Sequence, residues 1–344
     1  MKGFGIPFGW LLGGVVALCA AAVFGISAGA ASLTAADILR HFVGLLPFGW
    51  VESPLTERQE ALLMELRLPR VVMGAIVGAL LATAGGAYQG VFRNPLADPF
   101  LLGAAAGAGL GATMVMVFGG DLIADPRALV PVAAFVGALL GVAAAYALGS
   151  TAGGGGTAAL VLAGVAVSSF LSAAQTLVQQ MGIDQLQRIY AWLLGGLGRG
   201  GWEDVRLIAP YAAVGLAVLL LSGYLLDMLA LGDDKAVSLG LNPAAVRLVV
   251  IAAASLATAA AVSVSGLIGF VGIVVPHIVR RLVGSNYRAI LPVTVLAGGA
   301  FLVTVDIVAR TIVAPAELPI GVVTAFLGAP LFVLILRTTR HRGT

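Results

Sequence analysis

Long apolar stretches alternate with short polar interruptions along almost the whole chain. A helix needs about 20 apolar residues to cross the hydrocarbon core of a bilayer, and most of the stretches reach or approach that length. The pattern predicts an all-α, polytopic membrane protein with about ten transmembrane helices. The predicted spans are Phe8–Ala31, Arg70–Phe92, Phe100–Phe118, Ala128–Leu148, Thr157–Gln179, Val205–Leu226, Ala244–Val264, Ile273–Leu282, Ala289–Val313 and Ile320–Leu336.

The composition supports this prediction. Of 344 residues, 60% are hydrophobic and 10% are charged, whereas a soluble domain carries roughly 25% charged residues. We therefore expect one transmembrane domain over residues 1–344 rather than a soluble domain with an anchor. The 47 glycines favour close helix packing, because small residues four positions apart let helix backbones approach each other. This spacing occurs at Gly74/Gly78, Gly107/Gly111 and Gly137/Gly141.

Some segments depart from a simple series of spans. Met1–Ala31 is compatible with a cleaved signal peptide, but its apolar length favours an uncleaved first span. Ser32–Pro69 is predicted as a polar loop, and the run Gly153–Gly156 ends the fourth span.

The stretch Ile273–Leu282 is too short to cross the membrane alone. Part of the preceding segment, Ser265–Gly272, is therefore expected at membrane depth, where non-helical backbone must be buried in protein or line a cavity.

A polar break of seven residues, Arg93–Pro99, separates the second and third spans. Pro95 and Pro99 each lack a backbone donor and restrict the residue before them, so a helix does not continue through the break. The sequence therefore predicts a rigid, charged turn where one span ends and the next begins. In a chain this apolar, such a turn is a candidate for function.

The distribution of basic residues bears on orientation. Ten spans place both termini on the same side, and basic residues concentrate in cytoplasmic loops. The number of basic residues is nearly the same on the two sides of the membrane, so the total does not decide which side holds the termini. The dense groups beside spans, Arg280–Arg281 and Arg337/Arg340/Arg342, favour cytoplasmic termini. The arginines at the outer helix ends then need another explanation.

The sequence lacks the motifs that several kinds of chemistry require. The sequence has no Gly-x-x-x-x-Gly-Lys-Ser/Thr loop, so this chain is not expected to bind ATP in that manner. Cys19 is the only cysteine, which excludes a disulfide framework and a cysteine–histidine metal site. The net charge of +3 comes without a basic run interleaved with aromatic residues, so no nucleic acid partner is expected. An intramembrane enzyme would need a nucleophile–base set or a metal pair, and neither is visible.

Asp306 is the carboxylate that lies well inside an apolar stretch, and Arg310 follows one helical turn later. At this spacing the two side chains share one face of a helix. A structural ion pair is favoured, and a proton relay in a gradient-driven carrier is the alternative. Such a carrier would need an essential Asp306 and no companion ATPase.

The segment Asp227–Pro243 is a long charged interruption between the sixth and seventh spans. Its apolar positions and glycine stops predict one or two short amphipathic surface helices. These positions are Leu229, Leu231, Ala236, Val237 and Leu239, with Gly232 and Gly240. On the pattern alone, the helices could equally lie on lipid or dock into a partner.

Taken together and in order, these segments resemble the permeases of bacterial ABC importers for iron chelates and vitamin B12, the FecCD family. The resemblance covers nearly the whole chain apart from the loop after the first span and Gly153–Gly156. It rests on the motifs Arg67–Arg70, Gly85–Gly90, Arg93–Pro99, Leu102–Gly103, Leu162–Gly164, Leu231–Asp233, Ser238–Gly240, Gly269–Gly272, Val275–His277, Asp306–Arg310 and Glu317–Gly321.

The resemblance implies a type II ABC importer permease of ten helices that forms a homodimer in the bacterial cytoplasmic membrane. The translocation path would follow the dimer axis, lined by the span from Thr157 and its contact with the last span. Two ATPase subunits would bind on the cytoplasmic face and carry ATP and Mg²⁺, so that this chain needs no cofactor or metal. A periplasmic or lipid-anchored binding protein would deliver the substrate from outside.

The resemblance also assigns residues to roles. Arg67, Arg70 and Arg310 would dock acidic residues of the binding protein, with snorkelling at helix ends as the alternative. Asn94 and Leu96 would help close the cytoplasmic gate. The segment 227–243 would hold the coupling helices that press into the ATPase. The coupling residues would be Gly232, Asp233, Ser238, Leu239 and Gly240.

The resemblance leaves the cargo open. Permeases for ferric siderophores, haem and cobalamin share these motifs, and we expect an iron chelate, with cobalamin as the alternative. A path lined mainly by small and apolar residues fits a carrier that does not hold its cargo tightly. The chain itself is then expected to have no enzymatic activity.

Overall fold

The computed structural model describes residues 8–28, 34–44, 53–119, 126–151, 157–198 and 200–340, with 126–127 and 334–340 described as backbone only. In these ranges every regular element is helical. The α-helices are α1 (Phe8–Ser27), α2 (Ala35–Gly44), α3 (Glu57–Ala61), α4 (Leu68–Val91), α5 (Ala104–Phe118), α6 (Pro126–Thr151), α7 (Thr157–Met181), α8 (Leu186–Leu193), α9 (Trp202–Leu221), α10 (Gly223–Ala230), α11 (Asp233–Ser238), α12 (Pro243–Ser265), α13 (Val271–Val283), α14 (Tyr287–Thr311) and α15 (Ile320–Arg340). A π-helix, Leu62–Arg67, joins α3 to α4, and a 3₁₀ turn, Ile183–Gln185, precedes α8.

A helix lies at each of the ten predicted spans: α1, α4, α5, α6, α7, α9, α12, α13, α14 and α15. Within the described ranges, 7 helical stretches are long and apolar enough to cross a membrane, and shorter apolar helices cover Ala104–Phe118 and Ile320–Val333. The protein is therefore a multi-pass helical membrane protein. The count of ten crossings stays a prediction.

The predicted loop Ser32–Pro69 is wrong in part, because α2 and α3 lie within it and the chain is helical without a break from Glu57 to Val91. The π-helix explains how the helix passes Pro69. The N–H of Leu68 donates to the carbonyl of Leu63, five residues back. Pro69 has no N–H to offer Met64 in the same way. The indole Nε1 of Trp202 instead donates to the Met64 carbonyl at 2.7 Å, so this carbonyl keeps a partner.

The predicted sixth span, Val205–Leu226, is wrong at its end. Helix α9 stops at Leu221, and α10 begins at Gly223. The hydroxyl of Ser222 donates to the carbonyl of Val218 at 2.7 Å, which closes the last turn of α9. The start of the predicted amphipathic segment therefore belongs to α10, and α11 forms the second short helix.

The glycine-rich segment between α12 and α13 is non-helical, as predicted, and packs within the protein. The N–H of Gly196 donates to the carbonyl of Ser265 at 2.8 Å. Gly266 has φ +67°, and a Cβ there would overlap the carbonyl of Trp192. Only glycine combines this backbone conformation with so close a neighbour. The segment thus meets the requirement that non-helical backbone among membrane helices be buried in protein.

Helix α4 lies at the centre of the structure, and every residue from Val77 to Val91 is buried. A helix enclosed on all sides needs small residues wherever the backbone of a neighbouring helix touches it. A Cβ at Gly78 would overlap the carbonyl of Gly298 in α14, and a Cβ at Gly85 would overlap that of Gly272 in α13. Direct backbone contact therefore sets the positions of α13 and α14 against α4.

The small-residue spacing in α5 and α6 also marks a helix contact. A Cβ at Gly107 would overlap the carbonyl of Gly137, and a Cβ at Gly137 would overlap that of Gly107. A Cβ at Gly111 would meet the carbonyl of Ala133. The prediction of close packing at these glycines is confirmed.

Three predictions concern residues outside the described part of the chain. They are the signal-peptide question, which depends on residues 1–7 and 29–31, the run Gly153–Gly156, and the basic tail, whose side chains from 334 onward are not described.

Replacing Gly85 by alanine tests the contact between α4 and α13. The new methyl group would overlap backbone, which cannot rotate away, so we expect destabilisation of about 1–3 kcal/mol or failure to fold. The measurement is the thermal unfolding of the purified protein in detergent. Gly13→Ala in α1 is the matched control, because a Cβ there meets nothing within 4 Å. Equal stability of both variants would contradict the backbone contact.

Candidate functional site

Charged side chains gather at the two ends of α4. Arg70 lies near its start and Arg93 just after its end, about 35 Å apart at 1.5 Å per residue. We call the group at the first end, Arg70, Asp306, Arg310 and Glu317, the Asp306 cluster. The group at the other end, Arg93, Asp233 and Arg247, is the Asp233 cluster.

The predicted polar turn is held by its own side chains. The Oδ1 of Asn94 accepts from the N–H of Leu96 at 3.0 Å, and the Oδ1 of Asp98 accepts from the N–H of Phe100 at 2.8 Å. Both are turns in which a short side chain bonds the backbone two residues on. Burial raises the pKa of Asp98 to about 6 despite the bond from Phe100. Arg93 itself has φ +50°, an uncommon value for a residue other than glycine.

Helix α11 is a short surface helix bounded by glycines. Gly232, at φ +105°, precedes it, and Gly240, at φ +83°, follows it. The N–H of Leu241 donates to the carbonyl of Ala236 at 2.9 Å and closes the helix end. Ala236 faces inward, while the side chains of three apolar residues remain more than half exposed: Leu231, Val237 and Leu239. The predicted amphipathic character is confirmed.

The carboxylate of Asp233 joins the polar turn to α11 and α12. It accepts from Nη2 of Arg247 at 2.7 Å and 2.8 Å, one bond to each oxygen, and it also pairs with Nη2 of Arg93. The bond from Arg247 lowers the pKa of Asp233, with Arg93 adding to the effect. One side chain therefore links three segments that the sequence separates by up to 154 positions, from Arg93 to Arg247.

The remaining predicted residues at this end have local contacts. The hydroxyl of Ser238 donates to the carbonyl of Asp234 at 2.9 Å, within α11. Asn94 is exposed and Leu96 is half-buried beside it. Their placement next to Arg93 brings the predicted gate and coupling residues together, while a closing role for Asn94 and Leu96 stays a prediction.

At the opposite end, Arg70 holds two carboxylates. Its Nε and Nη2 donate to Oδ1 of Asp306 at 3.0 Å and 2.8 Å. Its Nη1 and Nη2 donate to the two oxygens of Glu317, each at 2.9 Å. Asp306 is buried, with 2% of its side chain exposed, whereas Glu317 is 50% exposed. The bidentate bond from Arg70 lowers the pKa of Glu317.

Arg310 and Arg67 bind the end of α1. Nη1 of Arg310 donates to the carbonyl of Ala28 at 3.0 Å, and Nη1 of Arg67 donates to that of Ile26 at 2.8 Å. The last carbonyls of a helix have no amide of their own helix to accept from, so these bonds cap α1. Nε of Arg310 also lies 3.4 Å from Oδ2 of Asp306, which confirms the predicted i,i+4 ion pair.

These contacts bear on the predicted docking residues. The guanidinium groups of Arg67, Arg70 and Arg310 are all bonded to groups of this chain, and their side chains are at most 15% exposed. Their direct role is to join α1, α4 and α14. Docking of another protein stays a prediction for them. Sequence reasoning missed Glu317 as a member of this cluster, although it lies in a quoted motif.

The described residues contain no group of three or more His, Cys, Asp or Glu side chains that could hold a metal ion. The charged clusters at both ends pair carboxylates with arginines instead. Such an arrangement suits contacts between segments or with a partner.

Comparison with known proteins gives the family. The sequence model of the FecCD transport family matches residues 17–338. The cobalamin import system permease protein BtuC of Halobacterium salinarum is 40% identical over 287 residues, which cover 83% of this chain and 76% of that protein. The Fe(3+)-citrate import system permease protein YfmD of Bacillus subtilis is 37% identical over 319 residues, or 92% and 90% of the two chains.

A solved structure shares the fold. It is an inward-facing metal-chelate-type ABC transporter, and its chain superimposes with a TM-score of 0.83 at 30% identity, covering 95% of this chain and 98% of that one. The family match, the relatives and the fold all agree with the resemblance found in the sequence. The chain therefore belongs to the FecCD transport family.

Proposed function

We propose that this chain is the permease subunit of an ABC importer that moves an iron chelate across the cytoplasmic membrane. It is a component of a transporter rather than an enzyme. ATP and Mg²⁺ would bind to a separate ATPase subunit, and a binding protein outside the membrane would supply the cargo. This chain would itself bind no cofactor or metal.

The Asp233 cluster is the observation that carries the proposal. A surface helix can drive a membrane path only if its movement reaches the membrane helices. Asp233, the first residue of α11, pairs with Arg93 in the turn that directly continues α4 and with Arg247 in α12. The contact supplies a direct mechanical link between α11 and the proposed gate residues Asn94 and Leu96.

The exposed face of α11 fits a protein partner. Val237 and Leu239 are 59% and 58% exposed, and Leu231 beside the helix is 54% exposed. Two charged residues of α11, Asp234 and Lys235, are exposed on the same short helix. An apolar centre with a polar rim is the usual composition of a protein interface. We therefore assign this face to the ATPase and propose that α11, the Arg93 turn and both termini lie on the cytoplasmic side.

The cargo is inferred from the relatives. The YfmD name specifies Fe(3+)-citrate and the solved neighbour is of the metal-chelate type, which supports an iron chelate. The BtuC name specifies cobalamin, which keeps cobalamin as the alternative. The ligand held by the binding protein that pairs with this permease distinguishes the two.

A homodimer would complete the path. An apolar groove of about 610 Å³ opens between the end of α8, the segment before α13 and α15, with Leu194, Phe270 and Phe326 in its lining. On α7, Leu162 and Phe170 are more than 70% exposed. We propose that a second copy of the chain packs on α7 and α15, so that the path runs between the two copies.

Co-purification tests the assignment of α11. Leu239→Glu places a charge in the proposed apolar interface, and we expect the ATPase subunit to be lost during purification in mild detergent. The wild-type permease and the ATPase should purify in equal amounts. The measurement is the stoichiometry of the two chains by quantitative gel or mass spectrometry.

Leu318→Glu is the matched control. Leu318 is an exposed leucine, but it lies between α14 and α15 at the opposite end of the molecule. This variant should keep the ATPase. Loss of the ATPase from both variants, or from neither, would contradict docking at α11.

Asp233→Asn tests the link between α11 and α4. The variant keeps the shape of the side chain but removes the charge that pairs with two arginines. We expect the ATPase to remain bound and transport in proteoliposomes to fall about tenfold, which corresponds to roughly 1.4 kcal/mol. Asp234→Asn, one residue later on the exposed side, is the control and should transport like the wild type. Equal transport by the two variants would remove the proposed role of Asp233.

The docking role of Arg70 needs a test that separates it from folding. Arg70→Gln alone leaves the buried Asp306 with one partner fewer, so we expect a loss of about 3 kcal/mol in stability. Arg70→Gln combined with Asp306→Asn should recover much of this loss, as measured by thermal unfolding. Binding-protein affinity is then measured on the double variant, where we expect weaker, less salt-dependent binding. Wild-type affinity at low salt would show that Arg70 only holds the helices.

A further inference from the structure

A second cavity, of about 600 Å³, lies next to the Asp233 cluster, and the proposed function assigns it no ligand. Its walls come from the end of α4, the polar turn, the end of α10 and the connection between α13 and α14. Three arginines line it: Arg93, Arg280 and Arg288. All these elements meet at the same end of the helix bundle, the end that carries α11.

Arg280 is the most informative of the three. Its guanidinium lies over the ring of Tyr287, 5.0 Å from the centroid, and Nη2 donates to the Tyr287 hydroxyl at 3.0 Å. Nη2 also donates to Oε1 of Gln89 at 3.4 Å, whereas Nη1 forms no hydrogen bond with the described part of the chain. Among the described residues, no carboxylate forms an ion pair with it. A positive group that is held in place with a donor left over is suited to bind an anion.

The neighbouring charges do not neutralise the cavity. Asp227 pairs with Arg288 at 3.3 Å, and Asp233 pairs with Arg93 and Arg247. The cavity and the groups bonded to its lining therefore hold four guanidiniums, those of Arg93, Arg247, Arg280 and Arg288. Among the described residues, the carboxylates of Asp227 and Asp233 pair with these groups, so arginines are in excess.

The remaining lining shows what kind of anion fits. Gln89, Ser285 and Asn286 supply polar groups, while Pro95, Ala230 and Leu231 give an apolar wall. Arginine suits phosphate oxygens, because its planar group offers several donors at once. Basic cavities between membrane helices near the cytoplasmic surface also suit lipid head groups.

We propose that this cavity is a binding site for a phosphate group, with Arg280 as its central ligand. The phosphodiester of an anionic membrane phospholipid and free phosphate share this chemistry. The lipid would enter with its head group between the polar turn and the α13–α14 connection. Because the same cavity borders Arg93, its occupant would contact the turn that α11 also contacts.

The test uses the full-length chain in a non-ionic detergent. The probes are inorganic phosphate, short-chain phosphatidylglycerol, and short-chain phosphatidylcholine, whose choline offsets the phosphate charge. We expect a rise in Tm of about 2–4 °C for the wild type at roughly ten times the Kd. Phosphatidylcholine should give no rise. A rise with phosphatidylglycerol alone identifies a lipid head group, and a rise with inorganic phosphate that competes with the lipid identifies free phosphate.

Variants locate the site. Arg280→Gln should weaken binding about tenfold or more in calorimetric titration, the range for a lost charge-assisted bond. Arg281→Gln is the matched control, since Arg281 is exposed on the same helix, bonds His277 at 3.2 Å and does not line the cavity. It should bind like the wild type.

A second pair of variants removes no native contact. Ala230 is exposed and lines the cavity, so Ala230→Glu adds a carboxylate there and Ala230→Gln adds the same bulk without charge. The glutamate variant should lose the anion-dependent rise in Tm and the glutamine variant should keep it. If Arg280→Gln does not fold, the two Ala230 variants still test whether the anion binds in this cavity. The proposal is overturned if no anionic probe raises the Tm, if Arg281→Gln weakens binding as much as Arg280→Gln, or if the Ala230 variants bind equally.

Discussion

The enclosure of α4 is the constraint on which the rest of the structure depends. From Val77 to Val91 the helix is buried on every side, and two of its neighbours touch it backbone to backbone. Gly78 meets Gly298 of α14, and Gly85 meets Gly272 of α13. In a bilayer the lipid is as apolar as leucine, and close packing replaces the hydrophobic effect as the main force between helices. Two glycines about two turns apart on α4 therefore hold two neighbouring helices at fixed positions at once.

A rigid central helix also explains why the charged clusters lie where they do. Polar groups are costly inside the bilayer, and arginine–carboxylate pairs are tolerated where helix ends reach its surface. Arg70 joins the start of α4 to α14 and to the loop that holds Glu317. Arg93 joins its end to α11 and α12 through Asp233. In the proposed function, α4 thus connects the end of the bundle that faces the binding protein with the end that faces the ATPase.

Much of this could be predicted from local sequence. The apolar pattern located ten helices, two prolines located the rigid turn, and i,i+4 spacing located the pair of Asp306 with Arg310. Contacts between distant segments could not be predicted in this way. Arg70 and Asp306 are 236 positions apart, and Arg93 and Asp233 are 140 apart.

The helix boundaries that were wrong have a similar cause, because they depend on partners elsewhere in the fold. The helix passes Pro69 because an indole 138 residues from Met64 supplies the missing donor. The break at Ser222 lies where Gly223 packs against the backbone of Arg288. Neither signal is present in the hydropathy of the segment itself.

The contacts of Asp306 bear on whether an ion gradient or a separate ATPase drives transport. A gradient-driven carrier needs a membrane carboxylate that can gain and lose a proton as the path opens and closes. Here both oxygens of Asp306 accept from Arg70 at 3.0 Å and 3.1 Å, and Arg310 approaches Oδ2 at 3.4 Å. The contacts of Asp306 with Arg70 join α14 to α4, and Arg310 in turn donates to the carbonyl of Ala28 at the end of α1. The ion pairs of Asp306 therefore serve the packing of three helices, which favours a structural role for Asp306 and an energy source outside the membrane domain.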